Sequence, residues 1–135
     1  KEGKKPILEL ESQAGQLRML NEMSPALQEA FLENAISALE SGRGPDQVTG
    51  MVNAWQSGDV NLMAEVAKGV NKGMRMTDQL DEVLVHGRHA AMLKKIESYL
   101  EGNVPHFVAI GSLHLVGPRG LVEILKARGY EVKQL

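Results

Sequence analysis

Phe107-Val108-Ala109-Ile110-Gly111-Ser112-Leu113-His114-Leu115-Val116-Gly117-Pro118-Arg119-Gly120 is the stretch on which the fold assignment turns. Its first four residues form an unbroken apolar run, preceded by the breakers Gly102, Asn103 and Pro105. A short run bounded in this way predicts a strand over 106–111 buried on both faces, as in a parallel sheet. Gly117-Pro118 predicts a helix start, with Leu121, Val122 and Leu125 turned inward and an end before Gly129. Tyr130 to Leu135 reads as a further strand. Strand, helix and strand in that order predict a βαβ unit with a right-handed crossover.

Working back toward the N-terminus, residues 6–11 read as a third strand, with Ile7, Glu9 and Glu11 on one face and Leu8 and Leu10 on the other. Between the strands lies a helical block. Ser24-Pro25 is an N-cap followed by a proline at the first helical position. Leu27, Phe31, Ala35 and Leu39 then recur every four residues until Gly42 and Gly44-Pro45. Val48, Met51, Val52 and Trp55 fit the amphipathic template, and Gly58 stops that helix. Asp59 can cap the next, whose stripe is Leu62, Met63, Val66 and Val70. After Asn71-Lys72-Gly73 a helical stretch runs from about Asp78 to Glu101, with Gly87 marking a bend or close packing. Met51, Met63 and Met92 read as core filler. The expected fold is therefore α/β or α+β. It combines a small, partly parallel sheet carrying the C-terminal βαβ unit with a block of about four to five helices.

The composition narrows the function. The chain has 135 residues, 43% of them hydrophobic and 24% charged, with a net charge of −2. Such a chain buries roughly two-thirds of its unfolded surface and reads as one domain over residues 1–135. No basic footprint points to nucleic acid, and no apolar run approaches the ~18 residues of a membrane span. Cysteine is absent, which excludes disulfides and thiol chemistry within the chain. Lys1-Glu2-Gly3-Lys4-Lys5-Pro6 has no initiator Met and no secretory pattern. The expectation is a piece of a longer protein, with any targeting segment upstream.

Three places can carry chemistry. His114 lies just beyond the carboxyl end of the expected strand, where open α/β sheets bind ligands, and its imidazole can hold a metal or move a proton. Gly111 before it would let the chain turn sharply, and the helix start at 117–120 can hold an anion. Glu9 and Glu11, two residues apart on one strand face, sit about 7 Å apart and suit separate roles around a metal or water. Arg88 is flanked by His86 and His89, an i, i+3 pair that by itself is weak metal evidence; His86 reads as part of a solvated helix face.

Taken in order, these pieces resemble the TraB/GumN family, which groups the TraB and PrgY pheromone-shutdown proteins, GumN-like bacterial proteins and the TIKI proteases. The run from Phe107 through Gly111-Ser112-Leu113-His114 to Arg128-Gly129-Tyr130-Glu131-Val132 is similar to the family's C-terminal signature. That signature is a strand, a Gly-x-x-His motif, a Gly-rich link, a Leu-rich helix and an Arg-Gly-Tyr-x-Val ending. Pro6-Ile7-Leu8-Glu9-Leu10-Glu11-Ser12 resembles its Leu-Glu-Thr strand. Ala54-Trp55-Gln56-Ser57-Gly58-Asp59 resembles its Trp-x-x-Gly-Asp turn. Gly87-Arg88-His89-Ala90-Ala91-Met92 resembles its Arg-Asn-x-x-Met helix, with His89 where the pattern has Asn.

The resemblance implies a metal-dependent hydrolase acting on a peptide or protein. In that scheme His114 is the second motif histidine and a metal ligand, Glu11 is a ligand or general base, and Arg88 steadies an anionic group. The metal would be Mn, Co or Zn. No first Gly-x-x-His motif precedes Glu11, so the chain corresponds to the C-terminal half of the family's pattern. On its own it is expected to be inactive, to bind metal weakly, and to form a homo-oligomer or pair with the missing N-terminal half. An extracytoplasmic or membrane-associated setting is likewise implied by the resemblance alone. The alternative is a non-catalytic peptide-binding or regulatory protein of the pheromone-shutdown type. A third reading is an anion-binding module using residues 117–120.

Overall fold

A computed structural model describes residues 5–70 and 72–135. Lys1 to Lys4, Asn71 of the expected interhelical loop and the side chain of Val70 lie outside the described residues. The elements in chain order are α1 (Gln13–Asn21), α2 (Pro25–Glu40), α3 (Gly44–Ser57), α4 (Val60–Val70), α5 (Thr77–Leu84), α6 (His89–Leu100) and α7 (Leu121–Ala127). Short 3-10 turns span His86–Arg88 and Ser112–His114.

The described residues contain no strand, so the expected α/β or α+β class, with its sheet and βαβ unit, is overturned. The run Phe107–Ile110 and the ending Tyr130–Leu135 carry no regular secondary structure and join no strand ladder among the described residues. A strand is stable only when an adjacent strand takes up its N–H and C=O groups, and apolar composition does not supply that partner. The run is not buried on both faces either. Phe107 is 95% exposed, and Ile110 packs against the helical cluster of Met92, Leu93 and Leu121. Residues 6–11 behave alike, with Ile7 and Leu8 exposed. That segment leads into α1, whose N-cap Ser12 accepts a hydrogen bond from Gly15 N–H at 3.1 Å.

Two helix signals read from the sequence correspond to real caps, whereas the start expected at Gly117-Pro118 falls at Leu121, with Gly120 as N-cap. Ser24 Oγ accepts from Leu27 N–H with Pro25 at the first turn of α2. Asp59 Oδ1 accepts from Asn61 and Leu62 N–H at 3.0 and 2.9 Å at the start of α4. The buried face of α2 is rotated from the expected stripe: Leu27, Ala30 and Asn34 are buried, whereas Phe31 and Leu39 are exposed. At about 100° per residue, steps of four drift by about 40° each, whereas alternating three and four holds one direction. In α3 the inward residue is Ala54, and Val48, Val52 and Trp55 face outward.

Two small cores result. Met23, Leu27 and Leu80 join α2 to α5, with Met76, Val83 and Leu84 around them. Met92, Leu93 and Leu121 join α6 to α7, with Ile96, Ile110, Ile124 and Leu125 around them. Met63 and Met92 are core residues as expected, and Met51 is half-buried. The stretch 78–101 is broken into α5, a 3-10 turn and α6, with Gly87 in the turn. No described helix is long and apolar enough to cross a membrane.

Asn34 pins the segment before α5 to α2. Its Nδ2 donates to Arg75 C=O at 2.8 Å, and its Oδ1 accepts from Arg75 N–H at 2.9 Å. Asn34→Ala removes both bonds and leaves two partly buried backbone groups unpaired, each costing about 1–3 kcal/mol. The urea midpoint is expected to fall by an amount equivalent to about 2–6 kcal/mol. An unchanged midpoint would show that the clamp contributes nothing.

Candidate functional site

The site is assembled at the start of α6. A Cβ on Gly87 would lie 2.7 Å from the carbonyl oxygen of Glu82, so only glycine lets the 3-10 turn press against α5. Arg88 and His89 follow at once. Arg88 uses three nitrogens: Nε donates to Glu11 Oε1 at 2.8 Å, Nη2 donates to Glu11 Oε2, and Nη1 donates to the Leu84 carbonyl at 2.6 Å. Both side chains of the ion pair are only 20% exposed. The planar fork matches the carboxylate in a way a lysine ammonium cannot. Residues 77 apart in sequence are thereby joined.

His89 is 3% exposed and serves a second loop. Its Nδ1 lies 2.9 Å from the Arg119 carbonyl oxygen, and its Nε2 lies 3.1 Å from His114 Nδ1. His114 is 9% exposed and ends the 3-10 turn Ser112–His114, closed by its N–H donating to Gly111 C=O at 3.0 Å. Gly111 has φ −61° and its missing Cβ meets nothing closer than 3.8 Å, so the sharp turn expected of it is not what it provides. Gly120 matters more. A Cβ there would lie 2.5 Å from the Leu115 carbonyl oxygen, and this tight loop brings the Arg119 carbonyl to His89.

The sequence candidates separate. Glu11, Arg88 and His114 come to one region, where each influences the charge of the next. Glu9 does not join them: its side chain is exposed, and its carbonyl accepts from Lys95 Nζ at 2.8 Å. His86 is not a solvated residue. It is half-buried, its ring meets His89 edge-on at 5.3 Å, and its Nδ1 is buried without a hydrogen-bond partner among the described residues. The 117–120 loop is committed otherwise, since Arg119 pairs with Glu82 at 2.5 Å and its carbonyl serves His89. The partnership of His89 with His114 was missed from sequence. Its available signal was the i, i+3 spacing to His86.

The electrostatics divide the residues into two kinds. Hydrogen bonding from Arg88 holds the Glu11 carboxyl below its ordinary range, against an opposing effect of burial. Burial is the main cause that lowers both His89 and His114 below the ordinary 6.5. For His114 the nearby Arg88 charge adds to this, and Glu11 opposes it.

The donor set does not match the divalent metal that the resemblance implies. Neutral imidazole and carboxylate are suitable donors, but both Glu11 oxygens already receive hydrogen bonds from a guanidinium. Among the described residues no group of three or more His, Asp or Glu could hold a metal. Two donors fall short of the three protein ligands of a catalytic zinc site, so these residues alone do not fit a tightly held ion.

A family model described as TraB/PrgY/gumN family matches residues 1–134. No curated protein and no solved structure matches the chain.

Stability is expected to depend on pH in two windows. The depressed imidazoles refuse protons that the unfolded chain accepts at 6.5, so their contribution is complete above 6.5 and declines as pH falls below it. The depressed Glu11 carboxyl contributes stability above 4.5 that is lost as pH falls further. Melting temperatures that do not fall between 6.5 and 4.5 would contradict the burial of neutral histidines. Calorimetric titration of this chain with Mn or Zn is expected to show weak binding. A tight, stoichiometric isotherm would reveal donors beyond Glu11 and His114.

Proposed function

The chain belongs to the TraB/PrgY/gumN family, and from that premise we propose that it carries the acid–base residues of a peptide-directed hydrolase. The observation that supports this reading is the gathering of Glu11, Arg88 and His114 around the start of α6. Arg88 keeps Glu11 ionised and fixed in direction, which suits it to orient a water or a substrate N–H rather than to act as a strong base. His114 is the proton acceptor. A water placed on it attacks the peptide carbonyl, the imidazole takes the water's proton, and the same proton passes to the leaving amine. The metal dependence implied by the family would require donors in addition to these two.

A second reading is favoured by one specific observation: both Glu11 oxygens are committed to Arg88. A site held this way can bind a peptide without cutting it, as a pheromone-shutdown type regulator would.

Cleavage and binding of a peptide library by the protein at its natural length separate the two. The hydrolase reading expects turnover that falls by about 100-fold or more in His114→Ala, the usual loss for a general base. Peptide binding without turnover, unaffected by added Mn, Co or Zn, would overturn it in favour of the regulator.

A further inference from the structure

His89 receives no role in that mechanism, yet it is a buried polar side chain whose two ring nitrogens both have partners. The identity of those partners determines where the protons sit. The Arg119 carbonyl oxygen can only accept, so His89 Nδ1 must carry the hydrogen. A neutral imidazole has one N–H, so His89 Nε2 is left as an acceptor. His114 Nδ1 faces that acceptor at 3.1 Å and must therefore be the donor. The single hydrogen of the His114 ring is then used, and its Nε2 is unprotonated.

We propose that His89 is a positioning residue that locks His114 into the Nδ1–H tautomer, leaving Nε2 as the reactive nitrogen. The lock starts from a backbone carbonyl, which cannot change its role. It passes through two imidazoles by direct contacts of 2.9 and 3.1 Å, and both rings are nearly excluded from solvent. An unconstrained neutral histidine interconverts between tautomers. A lone pair held on one nitrogen removes that uncertainty from any reaction or ligation at His114. The inference rests on His114 being the reactive base, but the tautomer itself can be read without any turnover.

The test is the pattern of two-bond proton–nitrogen correlations of the His114 ring, recorded in solution well above the imidazole titration range. The native chain should show His114 as Nδ1–H, with the Nε2 shift of an unprotonated nitrogen. His89→Ala should lose this preference, and His114 should revert to a mixture in which Nε2–H predominates. His89→Gln places an amide oxygen where Nε2 was, so it should restore the Nδ1–H pattern. A native spectrum showing Nε2–H at His114 would overturn the proposal, whether or not the variants fold. So would an Nδ1–H pattern that survives unchanged in a folded His89→Ala. If the tautomer behaves as stated while His114→Ala leaves peptide turnover intact, the lock stands and the hydrolase reading falls.

Discussion

Two adjacent side chains at the start of α6 tie together parts of the chain that lie far apart in sequence. Arg88 holds the segment carrying Glu11, and His89 holds the loop 111–120. Neighbours on a helix point about 100° apart, so consecutive residues can serve partners on different sides without competing. His89 and Leu93 are four residues apart and share a face. The loop that His89 holds therefore leads into α7 where Leu121 meets Leu93 and Met92. Polar anchoring and apolar packing act on the same loop, and each keeps the other's geometry in place.

The parts of this arrangement that were legible in the sequence are those controlled by one or two residues. Ser24-Pro25, Gly58 and Asp59 act through local hydrogen bonds, and each does what its residue type implies. The buried faces of α2 and α3 were misread because periodicity alone does not say which side meets a neighbour. On α2 the Phe31 and Leu39 direction is lost to drift, while polar Asn34 is buried through its two bonds to Arg75. On α3 small Ala54 is buried and bulky Trp55 is not. The helix approaches its partner closely on the side with the least bulk.

The strands failed for a different reason. Val108, Ile110 and their neighbours favour an extended backbone, but a sheet is a property of several segments at once. Ile110 finds a place among helices, and the rest of the run follows it without pairing. The site was more legible than the sheet meant to support it. Glu11, Arg88 and His114 come together through side-chain chemistry that needs no strand: a guanidinium fork, a short 3-10 turn and an imidazole contact. Position at a strand end was the wrong argument for His114. His89 escaped attention because its importance depends on the Arg119 carbonyl, and a backbone atom leaves no mark in the sequence.

Arg88 acts in opposite senses on its acidic and its basic neighbour, and this explains how the cluster tolerates burial. It stabilises the charged form of Glu11 and disfavours the charged form of His114. At neutral pH the cluster therefore contains one cation, one anion and neutral imidazoles. Their summed charge is zero, and the pair that remains charged is joined by two direct hydrogen bonds. An unpaired buried charge would cost several kcal/mol, so this is the protonation state in which closing the site against water is least expensive. It is also the state in which the roles differ most. Glu11 is fixed and weakly basic, whereas His114, neutral with its second nitrogen held by His89, keeps a lone pair available. The same desolvation that lowers the histidines keeps them in the form that can accept a proton.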